Sequence, residues 1–453
     1  MKKRLYIALM VGSLLSTHLS TAQEKKIWTL RECIEHAIAH NINIKQKEIA
    51  KDNEALALNT ARMSRLPSVS ASASYGFNFG RSLQSDNTYK RVNTQNLSTG
   101  ISASLPLFTG FQISNEIAQA KYNLKAAVED LNKAKEDIGV AVAQKFVEVL
   151  FAQELYATAR RQLDLSKELE AAHAEKLALG KVAEAEHYEM KARTAQDTTN
   201  VVTARNNYQL ALLELSQLLE LASPDEMELS TDGIISEDYT ASITSPQAIY
   251  NQSVWNRPDI RSTQYRLQGS EHAIKMARSG YYPTLQLGGG VNSNYFKMSN
   301  VPNASFGKQM EDNFAQHIGV QLNIPIFDRF ATRNRIRSAK LQQSALRLQL
   351  EETKKGLYKE IQTAYYSAIA AESKYKSSQT TMEAAEKSYQ LMVEKMKYGK
   401  ANVSQLNESN TAWQKATSDM LQAKYDYIFR THILRFYAGE GVVWESTREQ
   451  NKQ

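Results

Sequence analysis

One cysteine, eight prolines and eight histidines are all that 453 residues supply of these types. A single thiol, Cys33, excludes an internal disulfide framework. It lies in LRECIEHAIAHN, well beyond the apolar start of the chain, where it reads as a small buried side chain and not as a lipid acceptor. The histidines never form H-E-x-x-H, and there is no Cys pair, G-x-S-x-G or phosphate loop. Zinc, serine-nucleophile and nucleotide chemistry therefore lack their usual frameworks. The twelve methionines form no metal-relay cluster. No catalytic, cofactor or metal site is expected, and the chain reads as a non-enzyme.

Long apolar runs are missing too. The run Leu5–Leu15 has 11 residues, against the ~20 of a membrane-spanning helix. It follows Lys2, Lys3 and Arg4 and precedes small residues at Ser20 and Ala22, the layout of a secretory signal peptide cleaved after Ala22 rather than of an anchor. No later run reaches 18 apolar residues, so the mature chain is expected to leave the cytoplasm without a transmembrane helix. Loss of three leader cations leaves 52 basic residues of 55 against 48 acidic, a net +4 instead of +7. That balance is too mild and dispersed for nucleic acid and reads as a solvated surface.

What is present is written twice. ARMSRLP at 61–67 matches ARSGYYP at 277–283 with an offset of 216. LPLFTGFQISNEIAQAK, ending at Lys121, matches IPIFDRFATRNRIRSAK, ending at Lys340, with an offset of 219. The second offset persists through Phe146 and Tyr365, Gly180 and Gly399, Lys181 and Lys400, Tyr208 and Tyr427, and Leu215 and Leu434. Collinear matches over such a span mark an internal duplication. The expected organisation is a signal peptide at 1–22, a first repeat at 23–221, a linking segment at 222–246, a second repeat at 247–440 and a tail at 441–453.

Each repeat opens with a helix-like stretch, about 29–64 and 247–280, and continues after a Pro with two alternating segments. In PSVSASASYGF, Ser occupies every second position while Val69, Ala71, Ala73, Tyr75 and Phe77 take the others. LSTGISASLPL, TLQLGGGVNSNY and FAQHIGVQLNIPI follow the same rule. Period two predicts strands at about 67–79, 96–108, 284–296 and 314–327. In a soluble sheet the apolar face would meet a core; in a membrane barrel it would meet lipid. The quoted segments, 11 to 13 residues long, exceed the ~5–6 of soluble strands and reach the ~9–11 needed by a tilted membrane strand. Aromatics near the segment ends, Tyr75, Phe77, Phe108, Tyr295, Phe314 and Phe327 among them, fit interfacial girdles. The stretches 80–95 and 297–312 read as polar exposed loops.

Very long runs at about 111–178 and 329–397, almost free of Pro and Gly, carry apolar residues near period 3.6. At 1.5 Å per residue each would be ~100 Å long, so it must pack along equally long partners as a coiled coil does. Returning helices are expected at about 184–220 and 403–438, after turns at Leu179-Gly180-Lys181 and Tyr398-Gly399-Lys400. Four strands cannot close a membrane barrel, which needs about eight, and open edges are not tolerated in lipid. Either the strands avoid the membrane or several chains share one barrel; a small, polar inner face favours sharing.

The order of TLRECIEHAIAHNINI, SRLPSVSASASYGF, LPLFTGF, NRPDIRSTQYRL and IPIFDRF, with the two Gly turns, resembles the TolC family of outer-membrane exit ducts over nearly all of 23–440. The resemblance implies a mainly α fold with membrane β: an α-helical coiled-coil tunnel in the periplasm and four strands per chain in a shared, homotrimeric twelve-stranded barrel. It implies an outer-membrane location, a passive duct for efflux or type I secretion, and as partners outer-membrane lipid, a periplasmic adaptor and an inner-membrane pump. The family's tip carboxylates fall on Gln405 and Glu408, so one is absent here. Glu184, Glu186 and Glu189 are further gate candidates, and Leu179, Gly180, Lys181, Tyr398, Gly399 and Lys400 are candidate adaptor contacts. The alternative is a periplasmic or surface coiled-coil structural protein without a channel.

Overall fold

The computed structural model describes residues 26–83, 87–224, 227–230, 245–299 and 301–440. The expected signal peptide, the tail at 441–453 and the greater part of the 222–246 segment lie outside these residues. The chain divides into two compact units, one built from residues up to 45, 134–253 and 358 onward, the other from 46–133 and 254–357. Each unit draws on both sequence repeats.

In chain order the elements are β1 (Lys26–Trp28), α1 (Leu30–His40), α2 (Ile42–Met63), β2 (Ser68–Asn78), β3 (Arg81–Leu83), β4 (Tyr89–Arg91), β5 (Thr94–Phe108), α3 (Gln112–Ala178), α4 (Glu184–Leu218), β6 (Met227–Leu229), α5 (Pro246–Ser253), α6 (Pro258–Arg278), β7 (Thr284–Met298), α7 (Phe306–Asp312), β8 (Ala315–Asn323), α8 (Ala331–Lys397) and α9 (Val403–Arg435). The two long helices have 67 residues each. Among the described residues no helix is long and apolar enough to cross a membrane.

Local chemistry sets the helix boundaries. A capping box opens α1: Thr29 Oγ1 accepts from the Glu32 amide at 3.3 Å, and Glu32 Oε2 accepts from the Thr29 amide at 2.9 Å. Cys33 is fully buried on its inner face with Ile34 and Ala37. The helix expected over 29–64 is in fact two, because the side chain of Asn41 accepts from the Asn43 amide and donates to the Leu218 carbonyl, restarting the chain in a new direction. The stretch 247–280 likewise splits into α5 and α6, and Pro258 stands in the first turn of α6 with Asp259 beside it.

The second unit holds the main sheet, ordered β2-β5-β7-β8 and antiparallel throughout. The alternation seen in sequence becomes two faces. Ser70 pairs with Ser102, whose hydroxyl lies 3.0 Å away, then Gly290, then His317; Ser68, Ser104, Gly288 and Gly319 form the neighbouring row. The opposite face carries Val69, Ala103, Gly289 and Ile318, with Leu105, Leu287 and Val320 beside them. Ile318 is 82% exposed, Val69 68% and Val320 62% within one chain, so the apolar face covers no core of its own. Gly290 is obligatory at its place, because a Cβ there would lie 2.6 Å from the Ile101 carbonyl oxygen.

Three expectations need correction. The fourth strand ends at Asn323 rather than 327, just before Pro325, which has no amide to give a ladder. The stretch 80–95 is not all loop, since β3 and β4 pair as a short ribbon. The stretch 297–312 contains α7, capped by Ser305.

Below the strands, the bend into each long helix uses two residues of positive φ. In the first repeat these are Gly110 (62°) and Phe111 (66°); in the second, Arg329 (54°) and Phe330 (62°). Arg329 thus adopts a glycine-like conformation where no glycine stands. Asp328 compensates by accepting the Thr332 amide at 2.6 Å, and its carboxyl is held below the usual range by hydrogen bonds from Thr332.

Candidate functional site

Two features of the fold offer function: the four-stranded sheet and the two helix turns, 219 residues apart, in the first unit. The turns share one backbone solution. The Lys181 amide donates to the Lys176 carbonyl at 2.9 Å and the Gly180 amide to Leu177 at 2.8 Å. In the second repeat the Lys400 amide donates to Lys395 at 2.8 Å and Gly399 to Met396 at 3.1 Å. Both glycines are left-handed, with φ of 64° and 68°. This is the Schellman ending of a helix, which satisfies its last carbonyls at the cost of a residue that tolerates positive φ. Leu179 and Tyr398 project from these turns, 68% and 80% exposed, and Lys181 and Lys400 are exposed beside them.

The returning helices start differently. At α9, Asn402 Oδ1 accepts from the Gln405 amide at 2.8 Å, and Gln405 Oε1 accepts from the Asn402 amide at 3.2 Å. Gln405, one gate candidate, is therefore engaged in capping its own helix. Val403, Leu406 and Asn410 form the buried face of this first stretch, which leaves Gln405 and Glu408, three residues apart, on the exposed side. At α4 no side chain caps Ala183; Glu184 and Glu186 in the first turn complement the helix dipole instead. Glu184 and Glu189 are exposed and Glu186 is half-buried. Burial, with Lys176 as a lesser cause, lowers the pKa of His173 on α3, and Glu186 opposes that lowering only in part.

Farther from the turns lies a polar knot that the sequence reading missed. Asp197 of α4, 1% exposed, accepts from Ser166 Oγ of α3 at 2.5 Å, from Arg193 Nε at 3.1 Å, from Asn200 Nδ2 at 3.3 Å and from Gln414 Nε2 of α9 at 3.2 Å. One carboxylate ties together three helices from both repeats. Nearby, the Tyr425 hydroxyl of α9 donates to Glu154 of α3 at 2.7 Å, and burial together with that carboxylate pushes the phenol pKa up. The available signal was spacing: Met190, Asp197 and Ala204 recur every seven residues, placing an acid on a helix seam.

The sheet presents its own chemistry. One face is apolar and open, the other small and polar, and both edges, β2 and β8, are unpaired among the described residues. Aromatics gather where strands meet helices: Phe111 packs edge-on against Phe108 and Tyr282, and Phe327 against Phe330. Such a ribbon matches a segment of a membrane barrel with an interfacial girdle. Among the described residues no group of three His, Cys, Asp or Glu side chains could hold a metal ion.

Comparison with known proteins decides the family. The profile of the Outer membrane efflux protein family matches residues 33–220 and again 249–440. The chain belongs to that family. Within it, the chain is 21% identical over 404 residues to "Toxin and drug export protein A" of Aggregatibacter actinomycetemcomitans, covering 88% of this chain and 83% of that protein. It is 21% identical over 438 residues to "Outer membrane protein TolC" of Escherichia coli, covering 94% and 84%. Among solved structures, that of CusC superposes with a TM-score of 0.75 at 15% identity, over 94% of this chain and 95% of that one. The Campylobacter jejuni CmeC outer membrane channel gives 0.75 at 19% identity, over 93% and 88%. As a member of this outer membrane efflux family the protein is a channel and not an enzyme, its strands stand in the outer membrane and its long helices in the periplasm. The reading as a channel-free coiled coil is not supported.

Proposed function

We propose that three copies of the chain join their sheets edge to edge into a twelve-stranded barrel and act as the exit duct of a pump-driven efflux or secretion system. The single observation that carries this is the open sheet, with an uncovered apolar face, a small polar face and two free edges. In lipid such edges must find partners, and β2 of one copy beside β8 of the next closes the ring with the Ser and Gly face toward water. The duct forms no covalent bonds. A periplasmic adaptor joins it to an inner-membrane pump that supplies energy and selects cargo. Relatives are named for cargo as different as drugs and toxins, cations and a protease, which accords with a wide, polar conduit that selects little.

The gate lies at the helix turns. Three copies of Glu408, exposed one turn into α9, form a single carboxylate ring, while Gln405 caps the helix; Glu184, Glu186 and Glu189 add to the field. Lys181 and Lys400 oppose it, so the ring gives a modest cation preference by rim charge. The exposed turn residues Leu179, Gly180, Lys181, Tyr398, Gly399 and Lys400 form the adaptor's footprint, and docking there remodels helix pairing at the tip.

The test is conductance in a planar bilayer. Unheated protein should run as an SDS-resistant trimer and give steps whose reversal potential in a salt gradient favours cations, and Glu408→Gln should move that potential toward zero. A trimer with unchanged selectivity removes Glu408 from the gate; a monomer without conductance removes the duct.

A further inference from the structure

At the end of the sheet away from the long helices, the ribbon β3–β4 continues the β2–β5 hairpin without a slip in register. Asn78 pairs with Thr94, and three residues on Arg81 pairs with Arg91. Between these pairs the Val92 amide donates to the Gly80 carbonyl at 2.8 Å. Side chains alternate along a ribbon, so Arg81, Leu83, Tyr89 and Arg91 fall in the series of Val69, Tyr75 and Phe77, which is the apolar face. The side chains agree with this. Phe77 and Phe79 stack at 6.4 Å, Arg81 and Arg91 are exposed, and Val92 and Thr94 of the other series are buried. Lys297 of β7, exposed as well, stands opposite Gln95 in the row of Phe77.

The face thus turns from apolar to cationic at its outer end. Arg81 stands directly opposite Arg91, and like charges so placed on a ribbon repel. Among the described residues neither arginine makes an ion pair; Arg81 donates to the Tyr89 carbonyl at 3.4 Å. Asp86, the one acid of the stretch 79–95, lies outside the described residues. An anion between the two guanidinium groups turns their repulsion into attraction, and a phosphate matches their planar forks. Position selects its source. The pair lies four residues beyond Phe77, ~13 Å along a strand and less in depth because membrane strands tilt, which is the headgroup level of the outer leaflet. We propose that Arg81 and Arg91 hold the phosphate of an anionic lipid in that leaflet, with Lys297 reaching the same headgroup from the row nearer the bilayer and the exposed rings of Phe77 and Phe79 against its acyl chains. This rests on the reading in which the apolar face meets lipid. The surface belongs to one chain, so it holds or fails apart from closure of the ring.

The test is native mass spectrometry of the full-length protein in detergent. The probe is diphosphoryl lipid A, a bisphosphorylated acylated disaccharide, and its phosphate-free counterpart is the comparison. The expected result is one phosphorylated lipid retained per chain and about tenfold less of the phosphate-free form. Arg81→Gln combined with Arg91→Gln should cut retention about tenfold. Lys340→Gln combined with Arg347→Gln, which removes the same charge from exposed positions on α8, should retain lipid as the parent does. Excess inorganic phosphate should leave the lipid in place. Equal retention of both lipids overturns the site, as does retention that survives the double change at 81 and 91 or falls equally with the change on α8. Displacement by inorganic phosphate overturns the lipid as occupant. If the double variant at 81 and 91 yields no trimer where the parent does, Arg91→Gln alone replaces it and is read in the same way. A parent that runs as a monomer counts against the duct and not against the arginine pair, whose lipid preference is read per chain in either state.

Discussion

Arg329 shows what a single residue contributes. It takes the conformation that Gly110 takes in the first repeat, and a side chain in that region costs about 1–2 kcal/mol. Arg329→Gly should therefore stabilise the protein by about 1 kcal/mol, read as a raised thermal midpoint in detergent. The reverse change is worse than the conformation alone predicts. A Cβ on Gly110 would lie 2.8 Å from the Ser279 carbonyl oxygen and 2.9 Å from Tyr282 Cβ, so Gly110→Ala should lower the same midpoint. His432 reports on pH. Burial, with Arg435 as a lesser cause, holds its pKa down to about 3, below the ~6.5 of an exposed imidazole. The folded chain keeps this ring neutral, while the unfolded chain takes up a proton as pH falls below 6.5. The stability that depends on a neutral ring is complete above that pH and declines toward pH 3, by at most about 1.4 kcal/mol per pH unit. His432→Gln should flatten the slope of stability against pH between 6 and 4. The missing glycine at 329 was visible by aligning the repeats; the burial of His432, 6% exposed, was not.

At the scale of elements, periodicity carried most of the information. Strands of strict alternation and helices of 67 residues leave few other readings, and the left-handed turns followed from Gly180 and Gly399 standing at matched positions. Two of the boundaries that escaped turn on single residues. Asn41 breaks a helix through hydrogen bonds to Asn43 and to the distant Leu218, and nothing local announces the second bond. Pro325 ended β8 early, whereas Pro106 sits inside β5 beside a register shift; the same residue type thus has two outcomes set by the neighbouring strand. The Asp197 knot is the largest omission, since its meaning needs α3, α4 and α9 side by side. Asp197→Ala would leave Arg193, with its side chain 10% exposed, buried without its counterion, a change expected to cost about 3–5 kcal/mol. Limited proteolysis near residues 180 and 399, together with the thermal midpoint, checks this. Serine at 197 should not restore stability, because it supplies no charge.

At the scale of the whole molecule, the sheet's two faces make opposite demands. Ile318→Arg places a cation on the apolar face, which meets lipid at a cost of about 2–4 kcal/mol near mid-depth. It should reduce the amount of protein recovered in outer membranes and the fraction resisting SDS. His317→Arg, one residue away on the polar face, should leave both unchanged, and equal losses from the two would contradict the assignment of faces.

The unpaired borders at β2 and β8 also impose a rule of supply. A lone polypeptide reaching the membrane has nowhere to place its outermost amides, so entry waits for two siblings and its rate climbs steeply with abundance. Production below a threshold leaves chains stranded short of the bilayer, prey to proteases. A truncated sibling that kept β2 but lacked β8 would take a seat and offer no far side, so even a minor share of such copies would spoil most rings they joined.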